Sequence, residues 1–147
     1  MSKLKLELET GDVIIETFED KAPKHVAQIT KLAEDGFYDG LIFHRVIEGF
    51  MAQGGDPDGT GMGGMGGNIP AEFNDTPHVE GVCSMARSND PNSASSQFFI
   101  CLDDATFLDK QYTAWGRVTS GMDAVHAIEK GEPPEDPTKI VRFRKAG

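Results

Sequence analysis

Leu4, Leu6 and Leu8 alternate with Lys5, Glu7 and Glu9. A period of two puts the leucines on one face of a strand and the charges on the other. Thr10-Gly11-Asp12 can turn the chain, and residues 13–18 return as a second strand, so the chain opens with a hairpin. Short strand patterns then recur at 42–47, 81–86, 97–102, 114–118 and 139–144. Only two stretches carry helical spacing. Ala22-Pro23 opens one, with Val26, Ile29, Leu32 and Ala33 on its apolar stripe and Gly36 to stop it. The other holds Met122, Val125 and Ile128, with Ser120 as its expected cap and Gly131 near its end. Many short strands and two helices predict a mainly β domain over 1–147, its antiparallel sheet closed or nearly closed and its ends covered by the helices.

One strand carries an unexpected residue. If Ile42-Phe43-His44-Arg45-Val46-Ile47 is regular, Phe43, Arg45 and Ile47 share a face. A guanidinium on an apolar face is costly unless it is paired or given a ligand to bond. A structural ion pair would serve, but the neighbours point to a site. Phe50, Met51 and Gln53 follow closely. In the later strand Gln97, Phe99 and Cys101 share one face, while Phe98, Ile100 and Leu102 share the other. Apolar walls with a few convergent hydrogen-bonding groups describe a concave binding site without a strong nucleophile.

Composition removes several classes of function. Lys and Arg number 14 against 24 Asp and Glu, a net charge of -10, which disfavours nucleic acid and anionic membrane as partners. No apolar run approaches the ~20 residues of a membrane span. The first residues lack the apolar stretch of a signal peptide, so a cytoplasmic location is expected. The two cysteines, Cys83 and Cys101, are expected to be free and buried. Gly59-x-Gly61-x-x-Gly64 imitates a dinucleotide fingerprint, but no helix can start at Gly66-Gly67-Asn68-Ile69-Pro70. Asp56-x-Asp58-x-Thr60-Gly61 imitates a calcium loop, yet its twelfth position is Gly67. His25, His44, His78 and His126 show no metal-ligand spacing, and His44 reads as a satisfied core histidine. No metal or cofactor is expected.

The segment Phe43-His44-Arg45-Val46-Ile47-Glu48-Gly49-Phe50-Met51-Ala52-Gln53-Gly54-Gly55-Asp56 resembles the signature of the cyclophilin family of peptidyl-prolyl cis-trans isomerases. Ser84-Met85-Ala86-Arg87 and Ser95-Ser96-Gln97-Phe98-Phe99-Ile100 resemble its second signature, and the likeness runs from the first hairpin to the last strand. The resemblance implies a closed eight-stranded antiparallel β-barrel capped by two α-helices, and catalysis of rotation about Xaa-Pro bonds. By position, Arg45 would be the catalytic arginine. Phe50, Met51, Phe99 and Leu108 would line the proline pocket, and Gln53 and Gln97 would hydrogen-bond the peptide. Ala86 and Arg87 would border the groove, where the family usually has Ala-Asn, and Gly59 matches a groove-lining glycine. Phe107 stands where many members have a tryptophan that bonds cyclosporin, so weak cyclosporin binding is implied. Tyr112 stands where many have a pocket histidine. The implied partners are proline-containing peptides and unfolded or folding proteins, met by a monomer. The rival reading is a chaperone or binding module that holds proline segments in the same groove without turnover.

Overall fold

The structure, a computed structural model, describes residues 2–59 and 67–146. The opening hairpin forms as the alternation predicts. β1 (Lys3–Leu8) pairs with β2 (Gly11–Thr17) so that Leu4 faces Ile15 and Leu6 faces Val13. The other strands are β3 (Arg45–Ile47), β4 (Met51–Gly54), β5 (Val82–Met85), β6 (Phe98–Cys101), β7 (Ala114–Ser120) and β8 (Ile140–Ala146). All pairings are antiparallel, in the order β3-β4-β6-β5-β7-β2-β1-β8. Register shifts at Glu7/Leu8, Ile14/Ile15 and Cys83/Ser84 interrupt the ladders, as bulges do where a sheet must curl.

Closure is less complete than expected. β3 and β8 are the two ends of the sheet and do not pair as strands. The seam is made by the residues before β3: Ile42 forms an isolated bridge with Lys139, and the Phe43 amide donates to the Thr138 carbonyl. The sheet is a curled half-barrel laced at its seam by single contacts.

The inner face of this sheet is the main core. Leu4, Leu6, Val13, Ile15, Ile100 and Phe143 are fully buried there. Phe98 is its hub, with its ring centroid 5.5 Å from Tyr38, 6.2 Å from Phe43 and 6.0 Å from both Trp115 and Phe143. Burial of each such large side chain contributes about 1.5–3 kcal/mol. Helix α1 (Pro23–Glu34) starts with Pro23 in its first turn, packs Val26, Ile29 and Leu32 inward, and is followed by Gly36 at φ 79°. Helix α2 (Met122–His126) does not begin at Ser120. Ser120 is the last residue of β7, and Gly121 occupies the cap position at φ 93°. A Cβ on Gly121 would collide with the backbone of Asp12 and Val13, so the tight β7-to-α2 corner requires glycine there.

Two further expectations change. β4 is a strand that alternation does not reveal, because its sequence is Met-Ala-Gln-Gly. Phe43 and Arg45 do not share a face: Phe43 is fully buried in the barrel core, whereas Arg45 is exposed. Regular pairing begins only at Arg45, so the period-two phase does not extend back to Phe43. The dinucleotide-like Gly61 and Gly64 and the calcium-like Thr60 lie outside the described residues.

Candidate active site

Directly opposed residues in neighbouring strands project from the same face of a sheet. Arg45 of β3 opposes Gln53 of β4, Gln53 opposes Phe99 of β6, and Phe99 opposes Ser84 of β5. Two residues further along each strand, Ile47 opposes Met51, and Met51 opposes Cys101. Both rows lie on the side of the sheet away from the barrel core, because the intervening Val46, Ala52, Phe98 and Ile100 belong to the main core. β6 therefore has two buried faces. Phe99 and Cys101 join Met51, Val82 and Ala114 in a second, smaller apolar cluster, with Phe50, Leu108 and Tyr112 packed against it.

That outer cluster forms the floor of a pocket of about 130 Å³ lined by Arg45, Phe50, Met51, Gln53, Ala86, Arg87, Phe99, Leu108 and Tyr112. Every lining residue is one that the sequence resemblance implied. Three implied residues lie outside the lining. Gln97 adjoins it through Gln53, whose Nε2 donates to Gln97 Oε1 at 3.0 Å. Phe107 is two-thirds exposed and rests its ring 5.6 Å from that of Phe50. Gly59 lies against Ile42, where an added Cβ would meet Ile42 Cδ1 at 3.3 Å.

The walls are held by identifiable bonds. The 3-10 turn Thr106–Leu108 delivers Leu108 and is followed by Asp109. Asp109 Oδ1 accepts from the His78 backbone amide at 2.7 Å and lies 3.0 Å from its Nδ1. His78 Nε2 lies 2.9 Å from Ser84 Oγ, and the imidazole stacks against Phe99 at 6.3 Å. Burial pushes the His78 imidazole below its ordinary value, opposed by the Asp109 carboxylate. This chain has the connectivity of a serine hydrolase triad, but Ser84 is fully buried under the floor, so it is structural. Tyr112 meets Phe99 edge-on at 5.9 Å, and the Arg87 guanidinium lies 4.6 Å from the Tyr112 ring centre. Arg87 also donates to the Gln111 carbonyl from Nε at 3.0 Å and Nη2 at 2.7 Å, which ties the two rim loops together.

Arg45 is half-exposed, and its Nε donates to Glu132 Oε1 at 3.0 Å. Glu132, His78 and Asp109 were not among the site residues implied by the sequence. Their partners are distant in the chain, and no motif joins them. His44 is buried, as expected, but neither ring nitrogen has a hydrogen-bond partner among the described residues. Burial lowers its basicity, opposed by the Asp56 charge and reinforced by Arg45.

Among the described residues the pocket has no activated nucleophile. Burial, with the Asp109 and Asp104 charges, pushes the Cys101 thiol up to about 12, and burial pushes Cys83 well above its ordinary value. Among the described residues no group of three His, Cys, Asp or Glu side chains could hold a metal ion, and no helix is long and apolar enough to cross a membrane. The arrangement offers an apolar socket, two amides and two guanidinium groups, of which that of Arg87 is engaged by the Gln111 carbonyl. It can bind an uncharged ring and donate hydrogen bonds to an amide beside it.

Comparison with known proteins bears on the family and the fold. The family model described as cyclophilin type peptidyl-prolyl cis-trans isomerase/CLD matches residues 3–146. A probable peptidyl-prolyl cis-trans isomerase of Brucella abortus (strain 2308) is 51% identical over 154 residues, covering 93% of this chain and 79% of the relative. A peptidyl-prolyl cis-trans isomerase of Synechococcus elongatus is 46% identical over 134 residues, covering 90% and 92%. Among solved structures, a cyclophilin-type isomerase of Cryptosporidium parvum, crystallised in the presence of the dipeptide Ala-Pro, superposes with a TM-score of 0.92 at 29% identity, covering 99% of each chain.

Proposed function

The chain belongs to the cyclophilin-type peptidyl-prolyl cis-trans isomerase family, and from that premise we propose that Arg45 accelerates rotation about Xaa-Pro bonds whose proline ring sits in the adjoining pocket. The observation that carries this reading is the single row Arg45, Gln53 and Phe99, which sets a cation, an amide and an aromatic floor side by side on the outer face of the sheet.

The chemistry needs no bond broken. Partial double-bond character makes twisting an amide cost about 18–20 kcal/mol. The cis and trans forms of Xaa-Pro differ by only ~0.5–1 kcal/mol yet exchange over tens of seconds or longer. A catalyst must favour the twisted amide over both planar forms. In the twisted state the proline nitrogen loses conjugation and gains a lone pair that accepts a hydrogen bond. The Arg45 guanidinium donates to that nitrogen or reinforces the carbonyl end. Phe50, Met51, Phe99 and Leu108 grip the ring so that one side of the bond is fixed while the other turns. Gln53 and Gln97 hydrogen-bond the peptide backbone along the groove. A preorganised donor of this kind contributes about 2.7–4 kcal/mol, a factor of roughly 10²–10³ in rate.

The substrates proposed are proline-containing segments of unfolded or folding chains. Cyclosporin binding is proposed to be weak, because Phe107 has no N–H to offer where a tryptophan would. Arg45→Ala tests the catalytic assignment in a protease-coupled assay on a Xaa-Pro peptide. Loss of most turnover in a folded variant supports it, and near-normal turnover removes Arg45 from this role. The same assay on the unaltered chain separates an isomerase from a module that only holds proline segments.

A further inference from the structure

We infer that Glu132 is a positioning residue for catalysis, holding the Arg45 guanidinium in its working orientation through Nε. The inference rests on the reading of Arg45 as the catalytic donor.

Arg45 is close to half exposed, and a free arginine side chain at such a site samples many rotamers, at a cost of about 2 kcal/mol when one is fixed. The Glu132 carboxylate accepts from Arg45 Nε at 3.0 Å. A guanidinium is planar, so a bond at Nε fixes the plane and leaves Nη1 and Nη2 to act as donors. Among the described residues, no other side-chain hydrogen bond engages the Arg45 guanidinium. The one anchor is therefore at the stem end of the fork, away from the N–H groups that reach furthest.

The backbone around Glu132 is built to keep it there. Gly131 and Val46 exchange two hydrogen bonds, Val46 N to Gly131 O at 2.8 Å and Gly131 N to Val46 O at 2.9 Å. This isolated bridge is the loop's attachment to β3, and it joins the residue after Arg45 to the residue before Glu132. Gly131 has φ 146°, and a Cβ there would lie 2.6 Å from Pro134 Cα, so the loop turns away immediately beyond Glu132. The carboxylate is thus placed by β3 itself, in fixed relation to Arg45. An exposed ion pair of this kind contributes little to folding. Its effect is on the orientation of the cation.

The test compares kcat, KM and Tm for the full chain and for Glu132→Ala, Glu132→Gln, Arg45→Ala and the double variant. Glu132→Ala is expected to lower kcat roughly tenfold with KM within about twofold, since misplacing a catalytic group acts on turnover. Tm should stay unchanged. Glu132→Gln, which keeps an acceptor oxygen, should recover most of the loss, and Glu132→Ala should cost nothing further once Arg45 is removed. The inference is overturned if Glu132→Ala keeps its kcat, if it lowers Tm by more than about 5 °C and so proves structural, or if its effect persists in the Arg45→Ala background. Near-normal turnover in Arg45→Ala alone would instead remove the catalytic reading, and this inference with it.

Discussion

Gln53 stands between Arg45 and Phe99 in one continuous cross-strand row, and its amide donates to Gln97 from that position. The row fixes the spacing between the cation and the pocket floor by strand separation, about 4.7–4.9 Å per step, rather than by side-chain flexibility. A site set on strands holds its geometry better than one set on loops.

Arg45→Lys is expected to behave like Arg45→Ala, with activity reduced by at least roughly tenfold. Lysine keeps the charge but offers a compact ammonium on a flexible stem in place of a planar fork. Turnover measured beside that of Arg45→Ala checks this, and a lysine variant close to wild type would mean that charge alone suffices.

Phe99 and Phe107 should separate packing from recognition. Phe99 is nearly fully buried in the outer cluster, so Phe99→Ala should cost about 3–5 kcal/mol of stability as well as activity. Phe107→Ala, at an exposed rim position, should change stability by no more than about 0.5–1.5 kcal/mol, the contribution of its contact with Phe50. Thermal melts of the two variants read the difference. Phe107→Trp should tighten cyclosporin binding in a fluorescence titration, and an unchanged affinity would count against Phe107 as the cause of weak binding.

Stability should fall with acidity in two windows. Burial holds the imidazoles of His25, His44 and His78 below their ordinary value of 6.5. Above pH 6.5 they are neutral in both the folded and unfolded chain, and their contribution is fully present. Below it the unfolded chain takes up protons first, so stability declines as pH falls through the folded values. His44→Leu, which removes a ring with no hydrogen-bond partner among the described residues, should flatten the dependence of Tm on pH below 6.5. The second window belongs to Glu19. Partial burial raises its pKa, but hydrogen bonds from Ser2 and Thr17 outweigh that and hold it at about 2 against an ordinary 4.5. Its contribution is present above pH 4.5 and is lost as pH falls towards 2. Melts across the acid range, repeated with Glu19→Gln, should show the lower step reduced.

Gly121→Ala should destabilise the chain by about 2–5 kcal/mol, combining the cost of a left-handed backbone with overpacking against the β2 backbone. Urea unfolding measures it. An effect below about 0.5 kcal/mol, the range of ordinary surface substitutions, would mean that the β7-to-α2 corner relaxes freely.

The legible parts of the fold were those with a local physical signal. β1 and β2 show alternation, α1 shows Pro23 and Gly36 at its ends, and β6 shows two apolar faces, Phe98 with Ile100 and Phe99 with Cys101. β4 was hidden because Ala52 and Gly54 carry little strand preference, and its pairing with β3 and β6 is what makes it a strand. Ser120 suits a cap and a strand end alike, so the residue pattern does not separate the end of β7 from the start of α2. The pocket lining was recoverable from the resemblance, residue by residue. Glu132 was not, since its pairing with Arg45 spans 87 positions and exists only once the Gly131–Val46 bridge is formed.

β6 buries Phe98 and Ile100 on one side and Phe99 and Cys101 on the other. Neighbouring residues of one short strand thus answer to different physical constraints. The inward pair serves the barrel alone, whereas Phe99 on the outward side belongs both to a buried cluster and to the pocket lining, so a change there alters packing and the ligand surface together.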